Sequence, residues 1–161
     1  MQAAGLRPND YTYNALISAY GKGGQWERAQ GVYEGMKAAG VARDVITYGS
    51  LITAYEKGGR WEQAREAFEE MKTAGLLPTT ITCTALIGAY AAGGQWQRAE
   101  AVFMEMENLG LQRDIFTYNS LLNAYAGAQW RRAAEVSDVS DSCFVFVCRR
   151  RAERGSESER C

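Results

Sequence analysis

The chain has 161 residues, a formal net charge of -1, and 47% hydrophobic and 23% charged residues, which is the composition of a folded globular protein. Seventeen glycines and two prolines exclude collagen-like and proline-rich chains, and no stretch reaches the roughly 20 apolar residues of a membrane-spanning helix. Because histidine is absent, histidine-based acid–base catalysis, nucleophiles paired with histidine and most zinc sites with nitrogen ligands are excluded.

The cysteines show no Cys-x-x-Cys spacing, so we predict neither a metal centre nor a disulfide framework, and no cofactor. Such cysteines suit a reducing compartment. They are Cys83, Cys143, Cys148 and Cys161. The first residues carry neither the apolar core of a secretion signal nor an Arg-rich, Ser-rich transit segment, so no targeting signal is visible.

An internal period organises most of the chain. The four tryptophans are 35, 35 and 34 residues apart, at Trp26, Trp61, Trp96 and Trp130. Other positions keep the same step, including a threonine that occurs at Thr12, Thr47, Thr82 and Thr117. Self-similarity at a fixed step of this length is the signature of a repeat architecture.

Each period contains two predicted helices. In the first, Tyr13, Leu16, Ile17 and Tyr20 fall at i, i+3, i+4 and i+7, which places them on one face of a helix predicted over about residues 10–22. Two glycines then interrupt the pattern. A second helix is predicted over about residues 26–38, and Gly40 supplies the left-handed residue that ends it.

Helices of three turns cannot bury their apolar faces alone, so neighbouring pairs must stack, and we predict an all-α solenoid. The four units are residues 10–44, 45–79, 80–114 and a partial unit at 115–135, hereafter repeats 1 to 4. Residues 1–9 match the end of a preceding repeat, which suggests that the chain begins inside a unit. Residues 136–161 lose the pattern, and we expect them to be a disordered tail without a function of their own.

Two segments of the first unit identify the repeat type. Thr-Tyr-Asn-Ala-Leu-Ile at 12–17 opens the first helix, and Tyr-Glu-Gly-Met-Lys-Ala-Ala-Gly-Val at 33–41 closes the second. With the 35-residue step, they resemble the pentatricopeptide repeat family over about residues 1–135, whereas tetratricopeptide repeats have a 34-residue step. The resemblance implies a right-handed α-solenoid that binds single-stranded RNA at one nucleotide per repeat in mitochondria or chloroplasts.

A second stripe on the first helix of each unit begins with a large apolar residue. An apolar or aromatic side chain from successive repeats can hold a base between neighbours, so these four residues are candidates for base stacking. We call them the stacking row: Tyr11, Ile46, Ile81 and Phe116. The alternative is that they pack only between adjacent helices.

The next place on that stripe varies, and we call it the reading row: Asn14, Gly49, Thr84 and Asn119. By resemblance, these residues select the base together with the repeat-end residues, which are Asp44, Thr79 and Asp114. Asn14 with Asp44 resembles a uracil reader and Thr84 with Asp114 a guanine reader. Gly49 with Thr79 departs from the familiar pairs, and we expect that repeat to tolerate several bases. The alternatives are that the repeat-end residues only cap helices and that the reading row is only solvated.

Lys22 and Lys57 close the stripe, where an ammonium group can pair with a phosphate, although Ala92 breaks the series. The alternative is that both lysines are only solvated.

The preferred interpretation is therefore a sequence-selective, non-enzymatic RNA-binding module supporting organellar RNA processing or stability. Its contacts are expected to follow the order uracil, any base, guanine, pyrimidine, with RNA-processing proteins as further partners and no small-molecule substrate or membrane. The alternative is a helical scaffold for protein–protein interaction, since solenoids also bind peptides. A nuclease would need a clustered carboxylate metal site, which residues 136–161 are too short to build.

Overall fold

The computed structural model describes residues 9–126, and this part of the chain contains seven α-helices and no strand. The helices are α1 (Asp10–Lys22), α2 (Trp26–Ala38), α3 (Val45–Lys57), α4 (Trp61–Thr73), α5 (Thr80–Ala92), α6 (Trp96–Asn108) and α7 (Ile115–Ala126). The two helices predicted for the first unit are confirmed, and the same pair recurs in the next two. The predictions for residues 1–8 and 127–161, including the unit's end at 135 and the tail, lie outside the described residues.

The helices begin and end where the sequence provides caps. The odd-numbered helices follow Asn9, Asp44, Thr79 and Asp114, each of which accepts a hydrogen bond from a backbone N–H in the first turn. Gly40 has a φ of 66° after α2, and the next residue, Val41, donates its N–H to the carbonyl of Met36. This is the Schellman closure that a glycine permits, and it confirms the role predicted for Gly40.

The helices form two layers. Each of α1, α3 and α5 packs against the next odd-numbered helix and against the helix that follows it in the chain. Within the described part, the backbones of α2, α4 and α6 stay farther apart, and long side chains connect these helices through ion pairs. The helices α1, α3, α5 and α7 therefore form one continuous layer, which we call the inner layer, and α2, α4 and α6 form the outer layer.

The core repeats with the sequence. Leu51, Leu86 and Leu121 are buried at equivalent places, as are alanines and methionines of the outer helices. Leu16 belongs to the apolar face predicted for α1, but it is 36% exposed. Its three counterparts lie on helices that pack against a preceding odd-numbered helix, whereas α1 is the first helix among the described residues.

The periodic tryptophans form joints between repeats. The Trp26 and Trp61 rings lie 6.4 and 6.2 Å from the rings of Tyr55 and Tyr90 in the next repeat. The guanidinium of Arg60 lies 4.6 Å from the centre of the Trp26 ring, within the range of a cation–π contact. The tryptophans therefore recur at a fixed step because each packs against the next repeat.

Candidate nucleic-acid interface

The stacking row lies on the inner layer and is open to solvent. Its members are the second residues of the odd-numbered helices, and they are exposed by 78%, 65%, 71% and 69% at Tyr11, Ile46, Ile81 and Phe116. Large apolar side chains are normally covered, so a regular row of exposed ones indicates a binding surface. Such exposure leaves most of each side chain outside the packing between adjacent helices.

Asn14 is held at the boundary between repeats 1 and 2. It is only 8% exposed, its Nδ2 donates to Oδ1 of Asp44 at 3.2 Å, and its Oδ1 accepts from the hydroxyl of Thr47 at 2.7 Å. The pair that the sequence resemblance assigned to one base is therefore brought into direct contact. An amide has two donor hydrogens and two acceptor lone pairs, so one of each is not used by these two contacts.

Thr84 occupies the equivalent place between repeats 3 and 4. Its hydroxyl lies 2.8 Å from that of Thr117, which in turn donates to Oδ1 of Asp114 at 2.8 Å. Thr84 and Asp114 are thus connected through one intervening hydroxyl and do not bond directly in the way that Asn14 and Asp44 do.

The remaining reading positions differ from these two. Gly49 is buried and presents no side chain, and Thr79 is engaged with Thr82 in a capping box on α5. Asn119 is exposed on α7. We call a reading-row residue that is hydrogen-bonded to its repeat-end residue, directly or through one hydroxyl, a linked reading pair. Among the described residues, the second and fourth repeats contain no such pair.

A cavity of about 270 Å³ opens on the inner layer between α3, α5 and α7, and we call it the repeat-3 pocket. Ile81 and Phe116 of the stacking row line it, and so do Thr84 and Asp114. Apolar side chains and several polar groups, including the carboxyls of Asp114 and Glu56, therefore line one space. This is the chemistry that a planar base with a polar edge requires.

The periodic threonines were recognised in the sequence but not assigned to the site. Thr47, Thr82 and Thr117 are buried, and each bonds the residue that caps its own helix. The hydroxyls of Thr47 and Thr117 also lie within hydrogen-bond distance of the reading-row residue of the repeat before. Because a hydroxyl has one hydrogen, Thr47 donates at any moment either to Oδ1 of Asp44 or to Oδ1 of Asn14. Their strict recurrence was the available signal, since a buried hydroxyl needs a partner.

Hydrogen bonding tunes the two carboxylates that end repeats 1 and 3. Burial opposes ionisation of Asp44, but hydrogen bonds from the Thr47 backbone and hydroxyl and from Asn14 outweigh it, so the pKa of Asp44 lies below its usual value. The Thr117 backbone N–H lowers the pKa of Asp114 against a smaller opposing effect of burial. Both groups are therefore acceptors at neutral pH.

The two lysines of the stripe lie side by side at the ends of α1 and α3. Both are exposed, and the Lys57 ammonium donates to the backbone carbonyl of Lys22 at 3.4 Å. An ammonium has three donor hydrogens, so this contact leaves Lys57 able to bind another acceptor.

Two further properties bear on function. None of the helices in residues 9–126 combines the length and apolarity needed to cross a bilayer. The same residues contain no group of three or more Cys, Asp or Glu side chains arranged to hold a metal ion.

The fold and inner surface define a right-handed α-solenoid of 35-residue helical repeats. The PPR repeat family matches residues 8–55, 43–92 and 78–127, and the chain belongs to this family. No match was found among curated proteins.

Solved structures of the same fold include maize PPR10, alone and in complex with an 18-nt psaJ RNA element. Each is 27% identical with a TM-score of 0.73, covering 84% of this chain and 20% of PPR10. This chain therefore spans about a fifth of the length of PPR10. The PPR domain of Arabidopsis thaliana protein-only RNase P 1, in complex with tRNA, is 14% identical with a TM-score of 0.75, covering 97% of this chain and 84% of that domain. At that identity it shows the fold alone.

Proposed function

We propose that this chain binds single-stranded RNA in a sequence-selective manner, with one nucleotide per repeat and no catalytic step of its own. The observation that carries the proposal is the repeat-3 pocket, where stacking-row walls and a linked reading pair share one cavity. Relatives of the same fold whose structures contain RNA support the ligand class.

The stacking row supplies the sequence-independent part of binding. Ile81 and Phe116 are exposed and line the same cavity, so a base entering between them would cover both. Stacking on single strands contributes about 1 to 3 kcal/mol per base, so a few such contacts suffice for weak binding.

The reading row supplies selectivity. Asp114 is an acceptor at neutral pH. Because Thr117 donates its hydroxyl hydrogen to Asp114, Thr84 donates to Thr117 and keeps its lone pairs as acceptors, which suits guanine because its Watson–Crick edge has two adjacent N–H donors. The donor and the acceptor left on Asn14 suit uracil, whereas Gly49 offers no group to discriminate bases. Capping by Asp44 and Asp114 leaves lone pairs on each carboxylate, so capping and reading coexist.

We expect Lys22 and Lys57 to bind phosphates of the RNA, because both are exposed cations at the end of the stripe. By family resemblance the module serves organellar RNA processing or stability, in mitochondria or chloroplasts. Any cleavage or editing would then be carried out by RNA-processing proteins recruited to the bound transcript.

Alanine substitution in the stacking row tests the proposal. Ile81→Ala and Phe116→Ala should each weaken binding to short single-stranded RNA by about fivefold or more, measured by fluorescence anisotropy. Leu77→Ala is the matched control, because Leu77 is 79% exposed but lies outside the row. RNA affinity that is absent, or equally affected by all three substitutions, would contradict the proposal and favour a protein-binding scaffold.

A further inference from the structure

Glu56 lines the repeat-3 pocket. Among the described residues, it is the one carboxylate in the second half of an odd-numbered helix. It lies in the last turn of α3, next to Lys57, and lines the cavity together with Ile81, Thr84 and Asp114. The equivalent places in α1, α5 and α7 are Gly21, Ala91 and Ala126, so only repeat 2 carries a charged group there.

Gly88 on the neighbouring helix α5 makes room for this side chain. A Cβ at Gly88 would collide with Oε1 of Glu56 and would lie 2.8 Å from its Cδ. The places equivalent to Gly88 are Ser18, Thr53 and Asn123, all of which have side chains. The glycine therefore occurs in the repeat whose predecessor carries the glutamate.

The Glu56 carboxyl makes no hydrogen bond to another residue in the 9–126 part of the chain. Burial raises the pKa of Glu56, with the neighbouring Lys57 opposing the shift. The other ionisable group that lines the cavity is Asp114. A carboxylate that has lost water contacts and has no internal donor gains more from a ligand N–H than a fully solvated one does.

We propose that Glu56 is a further specificity-determining residue of the repeat-3 pocket, where its carboxylate accepts a hydrogen bond from an N–H donor of the bound base and favours guanine. The inference rests on the proposed RNA binding and adds a contact from repeat 2 to the nucleotide read by repeat 3. Selection at that nucleotide then depends on the neighbouring repeat as well as on Thr84 and Asp114.

The chemistry of the four bases explains the preference. An ionised carboxylate only accepts hydrogen bonds, so it favours base edges with N–H donors and disfavours carbonyl oxygens. Guanine offers two adjacent donors, whereas the single N–H on the same edge of uracil lies between two carbonyls. Uracil should therefore be the base most strongly rejected.

The test compares affinities for four RNAs that differ only at the nucleotide bound by repeat 3. That nucleotide is identified beforehand as the one at which Thr84→Asn changes the base preference. Glu56→Gln keeps the shape and removes the charge. We expect it to reduce the preference for guanine over uracil at that nucleotide by about tenfold and to leave other nucleotides unchanged. Glu62→Gln removes the same charge from the exposed face of α4 and serves as the matched control.

A second variant acts without altering the glutamate. Gly88→Ala displaces the Glu56 carboxyl and should reduce the same preference, whereas Gly31→Ala, in open space on α2, should not. Circular dichroism and thermal unfolding establish that each variant is folded.

An equal change for all four RNAs in Glu56→Gln, as repulsion of phosphates would produce, would overturn the inference. So would a base preference that the substitution leaves unchanged. Both results leave the proposed function intact. Failure of the unaltered chain to distinguish bases at any nucleotide would instead overturn the proposed function, and this inference with it.

Discussion

At the residue scale, the repeat-end carboxylates serve two neighbouring repeats at once. Asp44 caps α3 through Thr47 and also accepts from Asn14 on α1, so one side chain fixes the helix start and the orientation of a reading residue. Asp114 similarly accepts from the backbone and hydroxyl of Thr117, which lies against Thr84. Cap geometry and the orientation of the reading-row residues are therefore coupled through buried threonines.

Asp44→Asn should lower the free energy of unfolding by about 1 kcal/mol at neutral pH, because charged hydrogen bonds are lost while a capping side chain remains. The lowered pKa of Asp44 means that its stabilisation is present above the usual carboxyl range and is lost as the pH falls through the folded-state pKa. Urea unfolding should therefore show a difference between variant and unaltered chain at neutral pH that disappears in acid.

Asp10→Asn is the control for that comparison, since Asp10 is exposed in the first turn of α1 and makes none of these contacts. A difference for Asp44→Asn that persists unchanged in acid would show that the charge of Asp44 does not stabilise the fold.

At the element scale, the turns between paired helices are shaped by the tryptophan of the preceding repeat. A Cβ at Gly93 would collide with the ring of Trp61, and its distance to Cγ would be 2.7 Å. A Cβ at Gly58 would collide with the Trp26 ring in the same way. On the Trp61 ring, the guanidinium of Arg98 lies 4.8 Å from the ring centre. The glycine is required here by the close approach of a ring, since Gly93 has a φ of -85°.

Gly93→Ala should destabilise the chain by about 1 to 3 kcal/mol, because the rigid Trp61 ring must move. Gly31→Ala adds the same methyl group in the middle of α2, where no atom lies within 4 Å. That control should stabilise the chain by about 0.5 to 1 kcal/mol through helix propensity. Thermal unfolding, followed by tryptophan fluorescence, measures both effects, and a stabilising Gly93→Ala would contradict the packing described for this joint.

Periodicity made the helices predictable, because each unit repeats its apolar positions and its caps. The sequence indicated Asp44 as a cap and Gly40 as a helix end, and both are confirmed. The pairing of Glu56 with Gly88 was not predictable in this way. It joins two residues that break the period, on helices whose contact depends on the stacking of whole repeats.

At the scale of the whole molecule, the cations of the two layers have different partners. Ion pairs link the outer helices across repeats: Lys37 with Glu70 at 3.3 Å, and Lys72 with Glu105 at 2.9 Å. Such exposed pairs contribute little stability individually, but they engage outer cations within the protein. The inner stripe contributes Lys22 and Lys57, so electrostatic attraction for RNA should be modest.

The salt dependence of binding should be correspondingly shallow. Two phosphate contacts on a single strand predict a slope of about -1.4 in a plot of log K against log salt concentration. Replacing both Lys22 and Lys57 by alanine should bring the slope close to zero, while Arg65→Ala on the exposed face of α4 should not change it. An unchanged slope in the double variant would assign the phosphate contacts to other cations.

The central claim is that each linked reading pair selects one base, and exchanging one pair tests it most directly. Thr84→Asn gives the repeat-3 pocket the same pair of residues, Asn and Asp, that Asn14 and Asp44 form between repeats 1 and 2. Affinities for a panel of RNAs with every single-base substitution should show a shift of preference away from guanine and towards uracil at one nucleotide, limited there by Glu56, with all other preferences retained. An unchanged panel, or a change spread over several nucleotides, would contradict one-base-per-repeat reading by this surface.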